Sequence, residues 1–227
     1  MTRQIADRFE REVALPARGA SLTGDLTVPA GAKGVVLFAH GSGSSRRSPR
    51  NVWVAARLQR AGLATLLFDL LTGAEEQRDV YTREHRFDIP LLAKRLVLAT
   101  DWIDTQPELQ TLSVGYFGAS TGAAAALVAA HERKDRVAAV VSRGGRPDLA
   151  GADVLASVAA ATLLIVGGND DAVLDLNRGA LASMTCEKRL DIVPGATHLF
   201  EERGALEQVA TLASQWLVEF LVVQAAR

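Results

Sequence analysis

The stretch SVGYFGASTG, residues 113–122, decides how the rest of the chain is interpreted. Its first half is a short apolar run, which is typical of a buried strand, and an alanine-rich segment that predicts a helix follows it. Ser120 stands at the junction, between Gly118 and Gly122. Small residues two before and two after a serine let a helix pass close to the strand that it leaves. The pattern therefore predicts a tight strand-to-helix turn that presents the Ser120 hydroxyl, with a simple helix N-cap as the alternative.

Apolar runs alternate with helical patterns on both sides of this stretch. A hairpin is predicted near residues 13–15 and 22–28, with its turn at Arg18-Gly19. The predicted strands after it are 34–40, 63–71, 112–117, 137–142, 161–167 and 189–194, and the predicted helices are 51–60, 88–105, 122–131, 172–184 and 204–223. This order predicts an α/β fold with about eight strands in a mostly parallel sheet, an N-terminal hairpin, helices on both faces and no lid domain.

Composition and charge narrow the class of protein. The chain has 227 residues, 48% of them hydrophobic, and a formal net charge of −1. This length predicts one domain, 1–227, with a full core. The interspersed charges predict neither a nucleic-acid nor a membrane partner. Cys186 is the only cysteine, which excludes an internal disulfide. The charged N-terminal stretch, and the lack of an apolar run of about 20 residues, predict a cytoplasmic protein.

Residues whose side chains could act in catalysis follow several of the predicted strands. In open parallel sheets the ligand binds beyond the carboxyl ends of the strands. Asp170 and Asp171 follow the strand over 161–167, where either one could serve only to cap the next helix. His198 lies on a loop after the strand over 189–194. Serine, acid and histidine in this order, each at a strand end of one sheet, predict a nucleophile-elbow hydrolase.

These motifs resemble the α/β-hydrolase superfamily and, within it, the dienelactone hydrolase family. The resemblance covers nearly the whole chain and is carried by four motifs, His40-Gly41-Ser42-Gly43, Gly118-Ala119-Ser120-Thr121-Gly122, Gly167-Gly168-Asn169-Asp170 with Val173, and Gly195-Ala196-Thr197-His198. The family pattern Gly-x-x-Asp-x-x-Val favours Asp170 over Asp171 as the acid. The dienelactone hydrolases proper use a cysteine nucleophile, whereas this chain has Ser120. That difference moves the expected substrate towards general carboxylic esters.

The expected mechanism gives each of these residues a role. Ser120 attacks the ester carbonyl, His198 takes its proton as general base, and Asp170 orients His198. The N–H groups of Thr121 and of Ser42 or Gly41 are expected to hold the oxyanion. No cofactor and no metal ion are expected, because the four histidines are scattered and no cofactor-binding fingerprint appears. The expected partner is a small-molecule ester.

Arginines and one further histidine are the candidates for substrate contacts. Arg143, at a strand end, is expected either to meet a substrate carboxylate or to lie solvated at the surface. His40, beside the glycine loop, is the other candidate. Four more arginines either border the mouth of the site or lie in solvent: Arg46, Arg47, Arg83 and Arg86. Two alternatives to an esterase stay open, namely a non-catalytic ligand receptor on the same fold and a hydrolase of a dienelactone, thioester, peptide or phosphotriester.

Overall fold

The computed structural model describes residues 7–17 and 19–223, so that Arg18 of the predicted hairpin turn lies outside the described residues. One sheet organises this part of the chain. Its strands are β1 (Phe9–Ala17), β2 (Ala20–Val28), β3 (Gly34–Ala39), β4 (Leu63–Phe68), β5 (Ser113–Ala119), β6 (Val137–Arg143), β7 (Ala161–Gly167) and β8 (Lys188–Val193). The strand order is β1-β2-β4-β3-β5-β6-β7-β8. The β1–β2 and β2–β4 pairs are antiparallel and the others are parallel, which confirms the predicted α/β sheet with its N-terminal hairpin.

Helices cover both faces of the sheet. They are α1 (Pro49–Arg60), α2 (Gly73–Thr82), α3 (Ile89–Asp104), α4 (Thr121–Glu132), α5 (Ala152–Ser157), α6 (Asp171–Ser183) and α7 (Ala205–Val218), which continues into a π-helical turn (Glu219–Val223). The helices α1 and α7 pack on one face, and α3 to α6 pack on the other. Strands β3, β4 and β7 are buried along their whole length, and this explains why they read as continuous apolar runs.

Two of these helices were not predicted from the sequence. The helix α2 is mostly exposed, and of its ten residues only Asp79 is buried, so it shows little apolar periodicity. Its start is instead set by a capping box, in which Thr72 and Glu75 bond each other's main-chain N–H groups. The helix α5 has only six residues. No helix in residues 7–17 and 19–223 combines the length and the apolar character needed to cross a membrane.

A buried ion pair ties α2 to the loop that follows it. The Arg86 Nε donates to Asp79 Oδ2 at 2.5 Å, while the main-chain N–H groups of His85 and Arg86 donate to Oδ1 at 2.7 and 3.1 Å. Burial alone would raise the pKa of Asp79, but these hydrogen bonds outweigh it and lower that pKa. Because the Arg86 guanidinium lies against Gly43, the pair also supports the glycine loop after β3.

Replacing Asp79 by asparagine is expected to lower the free energy of unfolding by about 3 kcal/mol at pH 7, since it leaves the half-buried Arg86 without its counter-charge. The folded pKa of Asp79 lies below its unfolded value, so this stabilisation is complete above pH about 4 and is lost as the pH falls through the folded value. Urea unfolding of the wild-type protein and of Asp79→Asn, at pH 7 and at pH about 3, measures this loss of stability.

The control is Asp175→Asn, which breaks an exposed ion pair with Arg178 and should lower the free energy of unfolding by less than about 1 kcal/mol. Equal losses in both variants would contradict the role of Asp79.

Candidate active site

The turn between β5 and α4 holds Ser120 in a strained conformation. Its φ of 49° and ψ of −123° are backbone values that residues other than glycine rarely adopt, at a cost of about 1–3 kcal/mol. A Cβ on Gly118 would lie 2.4 Å from the Cα of Ala123, and one on Gly122 would lie 2.3 Å from the carbonyl oxygen of Ala39. The close approach therefore requires both glycines. The Ser120 hydroxyl makes no capping hydrogen bond to α4, so it is not used as a helix cap.

Asp170 and His198 meet across the ends of β7 and β8. Nδ1 of His198 lies 2.7 Å from Oδ2 of Asp170. An ionised carboxylate can only accept a hydrogen bond, so Nδ1 is assigned the proton, and in the neutral form of the ring Nε2 then carries none. Asp171 is exposed and begins α6, and its side chain forms no ion pair among the described residues. Of the two candidate acids, the structure brings only Asp170 to the histidine.

The loops that carry the acid and the histidine are bonded to each other. The main-chain N–H of Asn169 donates to the carbonyl of Ala196 at 2.9 Å, and its side-chain amide donates to the carbonyl of Gly195 at 3.0 Å. A Cβ on Gly167 would lie 2.4 Å from the Ala196 oxygen, so glycine is needed for this approach. These contacts hold Asp170 and His198 at a set distance.

Ser120 and His198 line one cleft, with a volume of about 260 Å³. We call it the Ser120 cleft, and its polar side chains include those of Ser42, Arg50, Asn51, Ser120, Arg143 and His198. Within the described residues no hydrogen bond joins the Ser120 hydroxyl to the His198 ring. Such bonds are often long in ligand-free sites and tighten when substrate binds. The cleft therefore brings together a strained serine and a histidine that is held by a carboxylate.

The candidate oxyanion donors lie beside Ser120 but are not equally available. Thr121 is the first residue of α4, where a main-chain N–H has no partner within the helix. The N–H of Ser42 donates to Oγ1 of Thr121 at 3.0 Å, so this bond must be broken or shared before Ser42 can hold an oxyanion. Gly41 lies directly against Ser120, since a Cβ on it would be 3.2 Å from the serine Cβ.

His40 lies next to this site without lining the Ser120 cleft. Its ring is buried and bonded at both nitrogens: Nδ1 lies 3.0 Å from the carbonyl of Gly41, and Nε2 accepts the N–H of Leu70 at 3.1 Å. Burial lowers the pKa of His40, which keeps the ring neutral. His40 thus links the glycine loop to the main chain just after β4, and its contact with a substrate stays a prediction.

Of the arginines considered from the sequence, the structure places one in the cleft. Arg143 lines it, and burial followed by the nearby charge of Arg50 lowers the pKa of Arg143 to about 10. Arg46 instead pairs with Glu12, Asp25 and Asp69, and Arg86 pairs with Asp79. Arg47 and Arg83 are exposed.

The lining residues that were missed from the sequence include Arg50 and Asn51. Both lie in the first turn of α1, directly after the glycine loop, and this position at a strand end was the signal that could have found them. Across the described ranges, no group of three or more histidine, cysteine, aspartate or glutamate side chains could hold a metal ion.

Comparison with known proteins identifies relatives of this chain by sequence and by structure. The sequence profile of the dienelactone hydrolase family matches residues 22–221. The structure of a dienelactone hydrolase from Anabaena variabilis is 59% identical, with a TM-score of 0.92 over 95% of this chain and 99% of that chain. Est1E from Butyrivibrio proteoclasticus is 16% identical and shares the fold, with a TM-score of 0.78 over 95% of this chain and 99% of its own.

Curated relatives carry a different name. Two Mycobacterium tuberculosis proteins, of strains CDC 1551 and H37Rv, are provisionally named phosphoribosyl transferases. Each is 58% identical to this chain over 212 residues, which is 93% of the chain. The chain spans about half the length of these relatives, 47%.

Proposed function

The chain belongs to the dienelactone hydrolase family, and on that premise we propose that it is a serine hydrolase of small to medium carboxylic esters. The observation that carries the proposal is the 2.7 Å bond from Asp170 to His198, a histidine that lines the same cleft as a strained serine. A serine hydroxyl is a weak nucleophile at neutral pH and needs a positioned base. The unprotonated Nε2 of His198 is the group in the cleft that suits this task.

The reaction proceeds in two halves. In the first, Ser120 Oγ attacks the ester carbonyl while His198 Nε2 takes the hydroxyl proton, and the same proton then passes to the alcohol as its C–O bond breaks. In the second, His198 takes a proton from water, the hydroxide attacks the acyl-enzyme, and Ser120 recovers its proton as the acid leaves. Asp170 stabilises the imidazolium that forms in each half. The Thr121 N–H, with Gly41 or Ser42, is proposed to hold the oxyanion.

The size of the cleft limits the substrate. Its volume of about 260 Å³ lies just below the usual range for ligand pockets, about 300–1,000 Å³. Between β6 and β7 the chain forms only a short 3₁₀ turn (Pro147–Ala150) and the six-residue α5. An open, small cleft of this kind suits small or medium acyl groups.

The Anabaena relative gives a second candidate, hydrolysis of a lactone such as a dienelactone. The same residues would open a lactone ring, and the alcohol would then remain attached to the acyl group. A panel of simple esters and lactones under identical conditions separates the two substrates. The phosphoribosyl transferase name belongs to relatives of which this chain matches 47%. Because the Ser120 cleft suits attack on a carbonyl, we propose hydrolysis for this chain. The transferase name describes the longer Mycobacterium tuberculosis relatives and is not carried over to it.

The proposal is tested with a fluorophosphonate, which reacts with serine hydroxyls that a base has activated. Intact-protein mass spectrometry should show one stoichiometric adduct, and peptide mapping should place it on Ser120. The unfolded protein is the control and should remain unlabelled, because its Ser120 has no positioned base. Folded protein that takes up no adduct would overturn the proposal in favour of a ligand receptor on the same fold.

A further inference from the structure

Both main-chain polar groups of Ser120 are bonded to the end of β6 or to the residues that follow it. The N–H of Ser120 donates to the carbonyl of Arg143, the last residue of β6, at 3.2 Å. The carbonyl of Ser120 accepts the N–H of Arg146 at 3.1 Å, besides that of Ala123 in α4. A residue with a φ of 49° keeps that conformation only where its surroundings hold it there. Residues 144–146, which we call the β6 loop, therefore help to hold the strained turn.

The β6 loop also lies against His198. The N–H of Gly144 donates to the carbonyl of Ile165 in β7 at 2.8 Å, which fixes the start of the loop beside the strand that precedes the acid. A Cβ on Gly144 would lie 3.1 Å from the carbonyl oxygen of His198 and 3.5 Å from its Nδ1. A displacement of this loop would therefore move the proposed nucleophile and the proposed base relative to each other.

One buried side chain fixes the middle of the β6 loop. Asn177 lies in α6 and is fully buried, and its Nδ2 donates to the carbonyl of Gly145 at 2.9 Å. The same nitrogen donates to the carbonyl of Val173, one turn earlier in α6, at 2.8 Å, and this bond orients the amide. The Oδ1 atom is buried without a hydrogen-bond partner in the described part of the chain. Among the described residues, the bond to Gly145 is thus the only hydrogen bond of this amide outside its own helix.

Asn177 also belongs to the helix that follows the acid. Asp170 is the N-cap of α6, and its carbonyl accepts the N–H of Leu174 at 2.8 Å. The helix therefore connects the acid to Asn177, and Asn177 connects the helix to the β6 loop. Burying a polar amide costs free energy, and an apolar side chain would fill the position without that cost. The bond to Gly145 gives a physical reason for an asparagine here.

We infer that Asn177 is a positioning residue of the proposed hydrolase. Through its bond to Gly145 it holds the β6 loop where the strained Ser120 turn and the His198 ring need it. Asn177 does not line the Ser120 cleft, so it acts on the reaction only through the loop. This inference rests on the proposed function and adds to it a residue that lies outside the cleft.

Asn177→Leu tests this role, because it keeps the approximate size of the side chain and removes its donor. We expect kcat for 4-nitrophenyl butyrate to fall on the order of 10- to 100-fold, since a misplacement of about 1 Å in an active site costs about 10²-fold in rate. KM should stay within about threefold, because the residues that line the cleft are unchanged. The rate of fluorophosphonate labelling should fall with kcat. All rates are measured well below the thermal midpoint of the variant, where the protein is folded.

Thr100→Val is the matched control, because each of the two substitutions leaves one buried polar group unpaired. Thr100 is fully buried in α3 and shares a 2.6 Å hydrogen bond with the Tyr116 hydroxyl. Its loss should lower the thermal midpoint at least as much as Asn177→Leu does and leave kcat within about twofold. The positioning role is overturned if folded Asn177→Leu keeps its kcat, or if both variants lose kcat alike.

Should Asn177→Leu fail to fold, Asn177→Ser gives the same test. A serine hydroxyl in a helix can bond the carbonyl four residues earlier, here that of Val173, but it is too short to reach Gly145. The same fall in kcat with little change in KM is expected, and an unchanged kcat would overturn the positioning role.

A proton resonance separates this inference from the proposed function. The Nδ1 proton of His198, bonded to Asp170, is expected to give a downfield NMR signal that Asp170→Asn removes. In Asn177→Leu this signal should shift or broaden, and in Thr100→Val it should stay unchanged. Wild-type protein that neither hydrolyses the ester nor takes up the fluorophosphonate would overturn the proposed function. The NMR signal would then decide on the positioning role, and a signal that is unchanged in Asn177→Leu would overturn it.

Discussion

Replacing Ser120 by alanine is expected to lower kcat for ester hydrolysis by at least about 10⁴-fold. The substitution removes the oxygen that forms the acyl-enzyme, and losses on the order of 10⁶ are known for serine nucleophiles of this type. Whatever activity is left should come from water attack assisted by the oxyanion donors. Steady-state kinetics with a 4-nitrophenyl ester, together with loss of the fluorophosphonate adduct, measures the effect.

A second substitution at the same position separates chemistry from folding. Alanine at position 120 meets the same backbone strain as serine, so Ser120→Ala should keep the wild-type thermal midpoint. Ser120→Gly should be equally inactive but more stable by about 1 kcal/mol, because glycine adopts a φ of 49° without a steric cost. Substantial turnover in either folded variant would remove Ser120 from the mechanism.

Replacing Asp170 by asparagine is expected to lower kcat on the order of 10⁴-fold. The carboxylate accepts the proton on Nδ1 of His198 at 2.7 Å, which leaves Nε2 as the base. An asparagine amide at this position can donate to Nδ1 and stabilise the opposite tautomer, in which Nε2 carries the proton and cannot act as a base. Kinetics with the same ester, and the rate of fluorophosphonate labelling, should fall together.

Asp171→Asn is the matched control, because it makes the same chemical change one residue further along the chain. Asp171 is exposed at the start of α6 and has no contact with His198, so its substitution should change kcat less than about twofold. Its loss can also remove a small favourable interaction with the helix dipole, which affects stability by at most about 1 kcal/mol. Similar losses of activity in the two variants would undo the assignment of the acid.

Both experiments depend on loops that the parallel sheet brings to one edge. Ser120 follows β5, Asp170 follows β7 and His198 follows β8, and all three strands run in the same direction. The hydrogen bonds from Asn169 to the histidine loop then set the spacing of the last two groups. The proposed chemistry is thus a consequence of strand direction together with a few loop contacts.

Much of this arrangement was predictable from local sequence. Strands buried on both faces read as apolar runs, and small residues around Ser120 indicate a close strand-to-helix approach. The number of strands, their mostly parallel direction and the hairpin were therefore correct. The helix α2 was not predicted, because its stability comes from a capping box and the Asp79–Arg86 pair, neither of which produces apolar periodicity.

The sequence by itself determined the fold class and the chain order of serine, acid and histidine, because these depend on residue type and short spacing. Only the tertiary structure showed that Asp170 and not Asp171 contacts His198, that His40 bonds the main chain of Leu70, and that Arg143 is buried without a counter-charge. Each of these outcomes depends on which residue from a distant part of the chain lies within hydrogen-bond distance. Burial and pairing of that kind arise when the strands assemble, so no local pattern contains them.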